Sequence, residues 1–488
     1  MSMRAGHKDI FAILSAIMMS VVMADYCVYE MCTCDDGFVD CTSRGLTAIP
    51  PLGPPGVEPV TYIQFNGNQI TSIPAGSLPA GLTQLTFNDN PIQTIDDDAF
   101  IDSASTLQTL ALTLVPHSRI PDALLKLKSL TFFELYNTDV GDWNEEVMKY
   151  LAPKLQSISL GNVSVHTWPD WFQYCNQVTE LTLDSSNITS IPDNGLDGMA
   201  SSLMSLSLYN NNLTSVPKAI SKLVNITDLY VDSNKITDLT WLPKNARLDT
   251  LGLSNNKISN GTHLSNALKP FGEFLSDLDL VGNELTAIPD LHFLTINGVE
   301  LSFNKIYDLN AGSLQPALHG LTLGYNLLTS IPSVVFRVQS LRSLLMPSNL
   351  VTRVQASLIP ATLTYLDLQH NLLTELADTS FPENSSLIYL YLNNNPLTTI
   401  SEHAFANLVQ LEELHLGGTR LTRLPLSLSS LHNLTTFDVS DITRLVCTCL
   451  EKDLGPWIKS LTAEKVLGTC GLMSVYDFFS LLSPGCPN

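Results

Sequence analysis

The pattern L-x-x-L-x-L-x-x-N-x-L recurs along most of this chain and leaves few folds open. Leu203, Leu206, Leu208, Asn211 and Leu213 follow it in full, and so do Leu248, Leu251, Leu253, Asn256 and Ile258. Leu387, Leu390, Leu392, Asn395 and Leu397 do the same. Counting the first apolar position of each unit gives seventeen starts, from Val60, Leu82 and Leu107 to Leu387, Leu411 and Leu434, spaced 21 to 27 residues apart. A unit that short cannot bury its apolar face alone, so neighbours must stack, and the period specifies a solenoid. The x-L-x-L segment alternates as a strand does, which predicts a parallel sheet with its leucines in one core. Asparagine at the ninth position offers two donors and an acceptor to turn groups that would otherwise be buried unpaired, so stacked asparagines should form a ladder.

The ladder is interrupted at Val115, Thr138, Val163 and Ser186, in four consecutive units that also hold Trp143, Trp168, Trp171 and Cys175. A different local curvature is expected there. Thr419 and Ile442 are further breaks. The second half of many units reads T-[SA]-[IV]-P, as in Thr71-Ser72-Ile73-Pro74 and Thr214-Ser215-Val216-Pro217. Proline removes a donor, which predicts loop, polyproline or short helical turns on the outer side and no second sheet. Phe100 and Phe405, each closing an Ile-x-x-x-Ala-Phe segment, should point into the core from that side.

Arg4 and Lys8 precede an apolar run from Ile10 to Met23, with small residues before Ala24; this reads as a signal peptide over residues 1–24, cleaved after Ala24. Removing it takes away Arg4, Lys8 and Asp9 and leaves 23 basic against 46 acidic side chains. Such a charge repels nucleic acid and anionic membrane and favours a partner with a basic surface. No later stretch is long and apolar enough to suggest direct membrane insertion, so a secreted, extracellular product is expected. Seven N-x-S/T sequons agree with that route, at Asn162, Asn187, Asn212, Asn225, Asn260, Asn384 and Asn433. Eight of the nine cysteines form two clusters, Cys27, Cys32, Cys34 and Cys41 at one end and Cys447, Cys449, Cys470 and Cys486 at the other. Even clusters behind a signal peptide read as disulfide frameworks, with three connectivities open to each by sequence alone. No histidine lies near either cluster, which disfavours zinc, and no metal site is expected. Cys175 stands alone and reads as a buried or half-buried thiol, with an intermolecular disulfide as the alternative.

With these motifs the chain resembles extracellular leucine-rich-repeat proteins of the typical subclass that carry cysteine-rich caps, such as the small leucine-rich proteoglycans, the Nogo receptor and Toll-like receptor ectodomains. The fold implied is an α/β solenoid, a leucine-rich-repeat horseshoe with a parallel concave sheet and a mostly loop or short-helix convex side. The domains are then the signal peptide 1–24, an N-terminal cap 25–59, repeats 60–445 and a C-terminal cap 446–488. The family's N-terminal flank is matched by Cys27-x4-Cys32-x-Cys34-x6-Cys41, and its pairing implies Cys27–Cys34 and Cys32–Cys41. The C-terminal flank is similar to Cys447-x-Cys449-x20-Cys470-x15-Cys486, with Trp457-Ile458 at the family's Trp-Leu, and implies Cys447–Cys470 and Cys449–Cys486. The last gap is shorter than the family's, and the N-P-[WF] that precedes its first cysteine is absent.

The strand positions that the core does not need are the freest to bind. From the eighth unit onward they carry an acidic stretch, Asp228, Tyr230, Asp277, Asp279 and Glu300, followed by Tyr365, Tyr389 and Tyr391, with Phe303 and Tyr325 between the two. In the first six units threonine and serine dominate instead. Charges beside exposed aromatics suit a protein or peptide ligand, bound on the concave face of units eight to fifteen in receptor-like or decoy fashion. An inhibitor of an extracellular hydrolase and a matrix or adhesion component are the alternatives. No nucleophile, zinc or phosphate-loop motif is present, and neither an enzyme activity nor a cofactor is expected. In a eukaryotic secretory host the protein should reach the medium with Asp25 as its first residue, checked by N-terminal sequencing. Retention as an uncleaved, membrane-integrated chain would contradict that reading.

Overall fold

A computed structural model describes residues 27–53, 59–165 and 168–486; the signal segment lies outside the described residues. The chain divides into two compact units, one ending at Ser186 and one beginning at Asn187. Each of the seventeen repeat starts is followed two residues later by a strand, six in the first unit and eleven in the second. The alternating pattern sets their register. In the first unit Ile63, Leu85, Leu110, Phe133, Ile158 and Leu181 lie opposite one another down a parallel ladder. In the second, Leu206, Leu229, Leu251 and Leu278 begin a column, and Val299, Leu321, Leu344, Leu366, Leu390, Leu414 and Phe437 form another. All are buried. A one-residue slip would turn every leucine to solvent, so the pattern tolerates a single register.

The ninth-position asparagines join each repeat to the one before it. Asn256 donates from Nδ2 to the carbonyls of Val231 (3.0 Å), Leu253 and Ser254, and its Oδ1 accepts the Ile236 N–H at 2.9 Å. The same set recurs at Asn234, Asn283, Asn304, Asn326, Asn349, Asn371 and Asn395. Where the ladder breaks, hydroxyls take over part of it. Thr138 Oγ1 accepts the Leu114 N–H at 3.0 Å, and Ser186 Oγ accepts the Val163 N–H and donates to the Leu160 carbonyl. Behind that block Trp143 packs on Trp171 at 5.6 Å, Trp171 and Trp168 each meet Phe172 edge-on, and Cys175 is buried as a free thiol. Burial pushes that thiol up to about 12, so it is neither a thiolate nor a nucleophile at neutral pH.

Opposite the strands the chain runs mostly through short 3₁₀ turns, with Pro121, Pro169, Pro217 and Pro425 each leading into one. Two short α-helices, Glu145–Leu151 and Gly261–Leu268, also lie there. Phe100 and Phe405 are buried. The expectation of no strand pairing on this side needs correction at three places. Ser72–Ile73 pairs with Thr94–Ile95, Ser118–Arg119 with Val140–Asp142, and Glu375–Leu376 with Thr399–Ile400. Proline withholds only its own N–H, so the two residues preceding Pro74 remain free to pair.

Disulfides Cys27–Cys34 and Cys32–Cys41 hold a hairpin, Thr33–Asp35 against Phe38–Asp40, whose second strand runs parallel to Tyr62–Gln64. At the other end Cys447–Cys470 and Cys449–Cys486 hold a segment whose strand Val466–Leu467 extends the sheet beside Phe437 and Asp438. All four pairs are those the family resemblance implied. Leu251→Ala should cost about 2–5 kcal/mol in chemical denaturation by opening a cavity. Asn256→Ala should cost roughly 1–3 kcal/mol by leaving turn groups unpaired, and Thr250→Ala, on the outward side of the same strand, should be near neutral. Equal losses from all three would show the register to be wrong.

Candidate functional site

Two outward columns run along the strands of the second unit. One carries Tyr230, Gly252 and Asp279 in register, with Glu300 next to Asp279. It continues through Thr322, Leu345, Asp367, Tyr391, His415 and Asp438. The other holds Asp228, Thr250 and Asp277, and further on Tyr365, Tyr389 and Glu413. Strand pairing thus gathers the predicted acidic residues into one group and the predicted tyrosines into another.

The acidic group includes a member the sequence pattern did not suggest. Asp232, buried just beyond its strand, accepts from Ser254 N and Oγ, both at 2.8 Å. Its carboxylate occupies the space that a Cβ on Gly252 would need, so glycine there makes room for the acid. Asp279 accepts the Val281 N–H, and Glu300 the Ser302 N–H. Burial raises the Asp279 carboxyl above its usual range, with repulsion from Asp232 and Glu300 adding to it.

The aromatic group is extended by residues further along the same columns. Tyr365 stacks on Tyr391 at 5.2 Å, and Tyr391 stacks on His415 at 4.4 Å with their planes 10° apart. Tyr391 Oη donates to Glu413 Oε2 at 3.1 Å. His415 Nδ1 lies 3.3 Å from Asp438 Oδ2, which also accepts from Asn393 Nδ2 at 3.1 Å. That hydrogen bond with Asp438 outweighs partial burial and raises the His415 imidazole above 6.5. For Asp438, burial acts upward, but hydrogen bonds from His415 and Ser440 prevail and hold its carboxyl down at about 2. Asp367 is buried and raised by that burial. The signal for Glu413, His415 and Asp438 was present in the sequence, since they occupy the same third and fifth positions in the sixteenth and seventeenth repeats. Reading only to the fifteenth missed them.

Phe303 and Tyr325 lie apart from these columns. They occupy the eighth position of their repeats, past the strand, and stack face to face at 4.2 Å and 8°. In sixteen of the seventeen repeats the eighth residue has positive φ, from 51° to 68°. Asn, Asp, Ser and Gly fill it in most repeats because they tolerate that conformation. Phe303 and Tyr325 are bulky exceptions, and such backbone strain costs about 1 kcal/mol or more. Among the sequon asparagines, Asn212 is half-buried and the other six are exposed.

A family model for the leucine rich repeat matches residues 176–236 and 361–421. The chain has the leucine-rich-repeat fold. Its fold is similar to that of a leucine-rich-repeat protein of Leptospira interrogans, at TM-score 0.53 and 20% identity over 78% of this chain and 90% of that one. It is also similar to a chain of the Toll–Spatzle complex of Drosophila, at TM-score 0.55 and 19% identity over 84% of this chain; there it spans 55% of the other. No curated protein matches it. Among the described residues no helix is long and apolar enough to cross a membrane, and no group of three or more His, Cys, Asp or Glu is placed to hold a metal ion.

The His415–Asp438 pair links this leucine-rich-repeat face to pH. The His415 contribution to stability is complete below pH about 6.5 and is lost as pH rises through the higher folded value. The Asp438 contribution is complete above about pH 4 and is lost as pH falls toward about 2. Asp438→Asn should therefore lower the His415 midpoint in a proton NMR titration, and it should remove the pair's stabilisation between those limits. An unchanged midpoint would mean that Asp438 does not set it.

Proposed function

We propose that this leucine-rich-repeat protein is a secreted recognition protein that binds a protein or peptide partner through the outward strand face of repeats eight to seventeen. The observation that carries the reading is chemical clustering along two columns that the core does not require. Acids gather in repeats eight to eleven and stacked rings flanked by carboxylates in repeats fourteen to seventeen, with Gly320, Thr322, Ser343 and Leu345 between them. The acidic stretch suits a basic partner surface and would speed encounter by long-range attraction. Tyr365, Tyr389, Tyr391 and His415 offer flat, amphipathic area with few rotamers to freeze, which suits anchoring. The disulfide-bonded ends are compatible with an oxidising extracellular setting. Sequons exposed elsewhere would carry glycans that keep other surfaces solvated.

The test is a kinetic binding series against a partner captured from extracellular fluid with the mature chain. Asp279→Asn with Glu300→Gln should lower the on-rate several-fold at low salt. The difference should fade as the Debye length shrinks below about 10 Å. Tyr365→Ala with Tyr391→Ala should raise the off-rate by roughly thirtyfold, the equivalent of about 2 kcal/mol lost at an anchor. Normal binding by both double variants would place the partner on another surface.

A further inference from the structure

One edge of the sheet changes character along the second unit in a way the fold does not demand. Past each strand, the eighth and tenth repeat positions project from the turn that carries the asparagine ladder. The tenth position is held in line by the backbone. Lys305 N donates to the Leu285 carbonyl, Leu327 N to Ile306, Leu350 N to Leu328 and Leu372 N to Val351, each at 2.9 Å. In the ninth to eleventh repeats that column is Lys257, Glu284 and Lys305, an ion-paired run with Glu284 lying 3.5 Å and 3.1 Å from the two lysines. In the next three repeats it is Leu327, Leu350 and Leu372, which are 46%, 40% and 46% exposed. At the eighth position Tyr325 shares its repeat with Leu327, and it stacks on Phe303 of the repeat before, which stands beside Lys305; the rings are 52% and 55% exposed. The same backbone bond holds the charged and the apolar residues, so the turn itself does not require apolar side chains there. The apolar strip answers to something else.

We propose that this edge, formed by Phe303, Tyr325, Leu327, Leu350 and Leu372, docks a partner protein segment that presents apolar side chains flanked by basic ones. A run of exposed apolar side chains in successive repeats, at a position where the preceding repeats carry charge, marks a protein contact. The basic flank follows from the carboxylates on the strand side, since the nearest cation on this edge, Lys305, is already paired with Glu284. Glu300 is fixed by the Ser302 N–H, one residue before Phe303, and Asp279 is its strand neighbour. A second copy of this chain, whose net charge is −22, would bring like charges together. The edge is also left bare of glycan acceptors. Asn162 occupies the eighth position of its repeat and Asn187 and Asn212 the tenth of theirs, yet no sequon falls between Asn260 and Asn384. Phe303 and Tyr325 accept a left-handed backbone that Asn or Ser adopts with less strain, which is the behaviour of residues kept for contact. This surface uses different columns from the strand face and shares only the acids Glu300 and Asp279 with it, so loss of the leucine contacts and loss of the strand-face tyrosine contacts are distinguishable.

The probes are three synthetic peptides: an amphipathic Leu/Lys sequence, its Ser/Lys analogue and its Leu/Glu analogue. Fluorescence anisotropy against the full chain should show the Leu/Lys peptide binding at least about tenfold more tightly than either analogue. The triple variant Leu327→Ser, Leu350→Ser, Leu372→Ser should lose about that factor, and Phe303→Asn with Tyr325→Asn should weaken binding too. Thermal midpoints of both should stay within a few degrees of the parent, because these side chains face solvent. In the background of the strand-face pair Tyr365→Ala, Tyr391→Ala, the triple variant should cause the same fold loss of peptide binding as in the parent. Equal binding of the Ser/Lys peptide, or binding indifferent to the triple variant, would overturn the proposal. So would self-association in sedimentation velocity that the triple variant abolishes, since the occupant would then be a second copy.

Discussion

The structure depends on how a chain can turn inside its own core. Each repeat leaves its strand between two neighbours, where water cannot reach the backbone, and the carbonyls and amides of that bend must be paired within the protein. One asparagine side chain does this for two repeats at once. Asn304, for example, gives its amide protons to the carbonyls of Leu280 and Leu301 and takes the N–H of Leu285. Leucine burial drives the stacking, but it would drive many arrangements; the amide set is directional and admits only one offset between repeats. Replacement by a hydroxyl keeps part of that set, as at Thr138 and Ser186, and this is why the ladder can be interrupted in the first unit without losing the strand register there.

Fixing the bend has consequences for the surface. The residue before each ladder position is pushed to positive φ, so its identity is constrained by backbone strain and not by burial. Most outward strand positions and the tenth position carry neither constraint, with Gly252, Asp367 and Asp438 among the packed exceptions. Their chemistry therefore records something other than folding, and they change abruptly along the chain, from threonine and serine to acids, then to stacked rings, and from a lysine–glutamate run to leucines. In a repeat fold such changes stand out because the surrounding repeats supply the comparison.

Much of this was legible in the sequence because the leucine-rich repeat is a local code. All seventeen strands begin where the spacing of Val60, Leu82 and their successors places them. The buried Phe100 and Phe405 were equally readable. What escaped was contact between repeats at positions the pattern leaves free. Nothing in the string ties Gly252 to the carboxylate of Asp232, because the two belong to different repeats and meet only once the strands are paired. The bond between His415 and Asp438 is hidden in the same way. Phe303 and Tyr325 were readable as exposed rings but not as edge residues, since their placement follows from the left-handed turn and not from strand alternation. The short outer pairings, such as Ser72–Ile73 with Thr94–Ile95, escaped because the proline rule was applied to the whole segment instead of to one N–H.

The two ends show what a stack requires once repetition stops. At the first repeat Asn68 still performs its ladder role, but its amide reaches the carbonyl of Cys41 and accepts the N–H of Leu46, so the N-terminal cap stands in for a preceding repeat. At the last, Val466 pairs with Phe437, while Trp457 donates its indole N–H to the Leu431 carbonyl at 2.9 Å and meets the Phe437 ring edge-on. Each cap thus copies the polar contacts of a repeat outside the repeat pattern. Segments so small bury too little apolar surface to stay ordered by packing alone, and two disulfides apiece supply the missing constraint, typically about 2–4 kcal/mol each. The edges they present are a three-residue antiparallel strand, Thr33–Asp35, and a two-residue strand, Val466–Leu467. Both are short, which blunts the described sheet ends as templates for another strand.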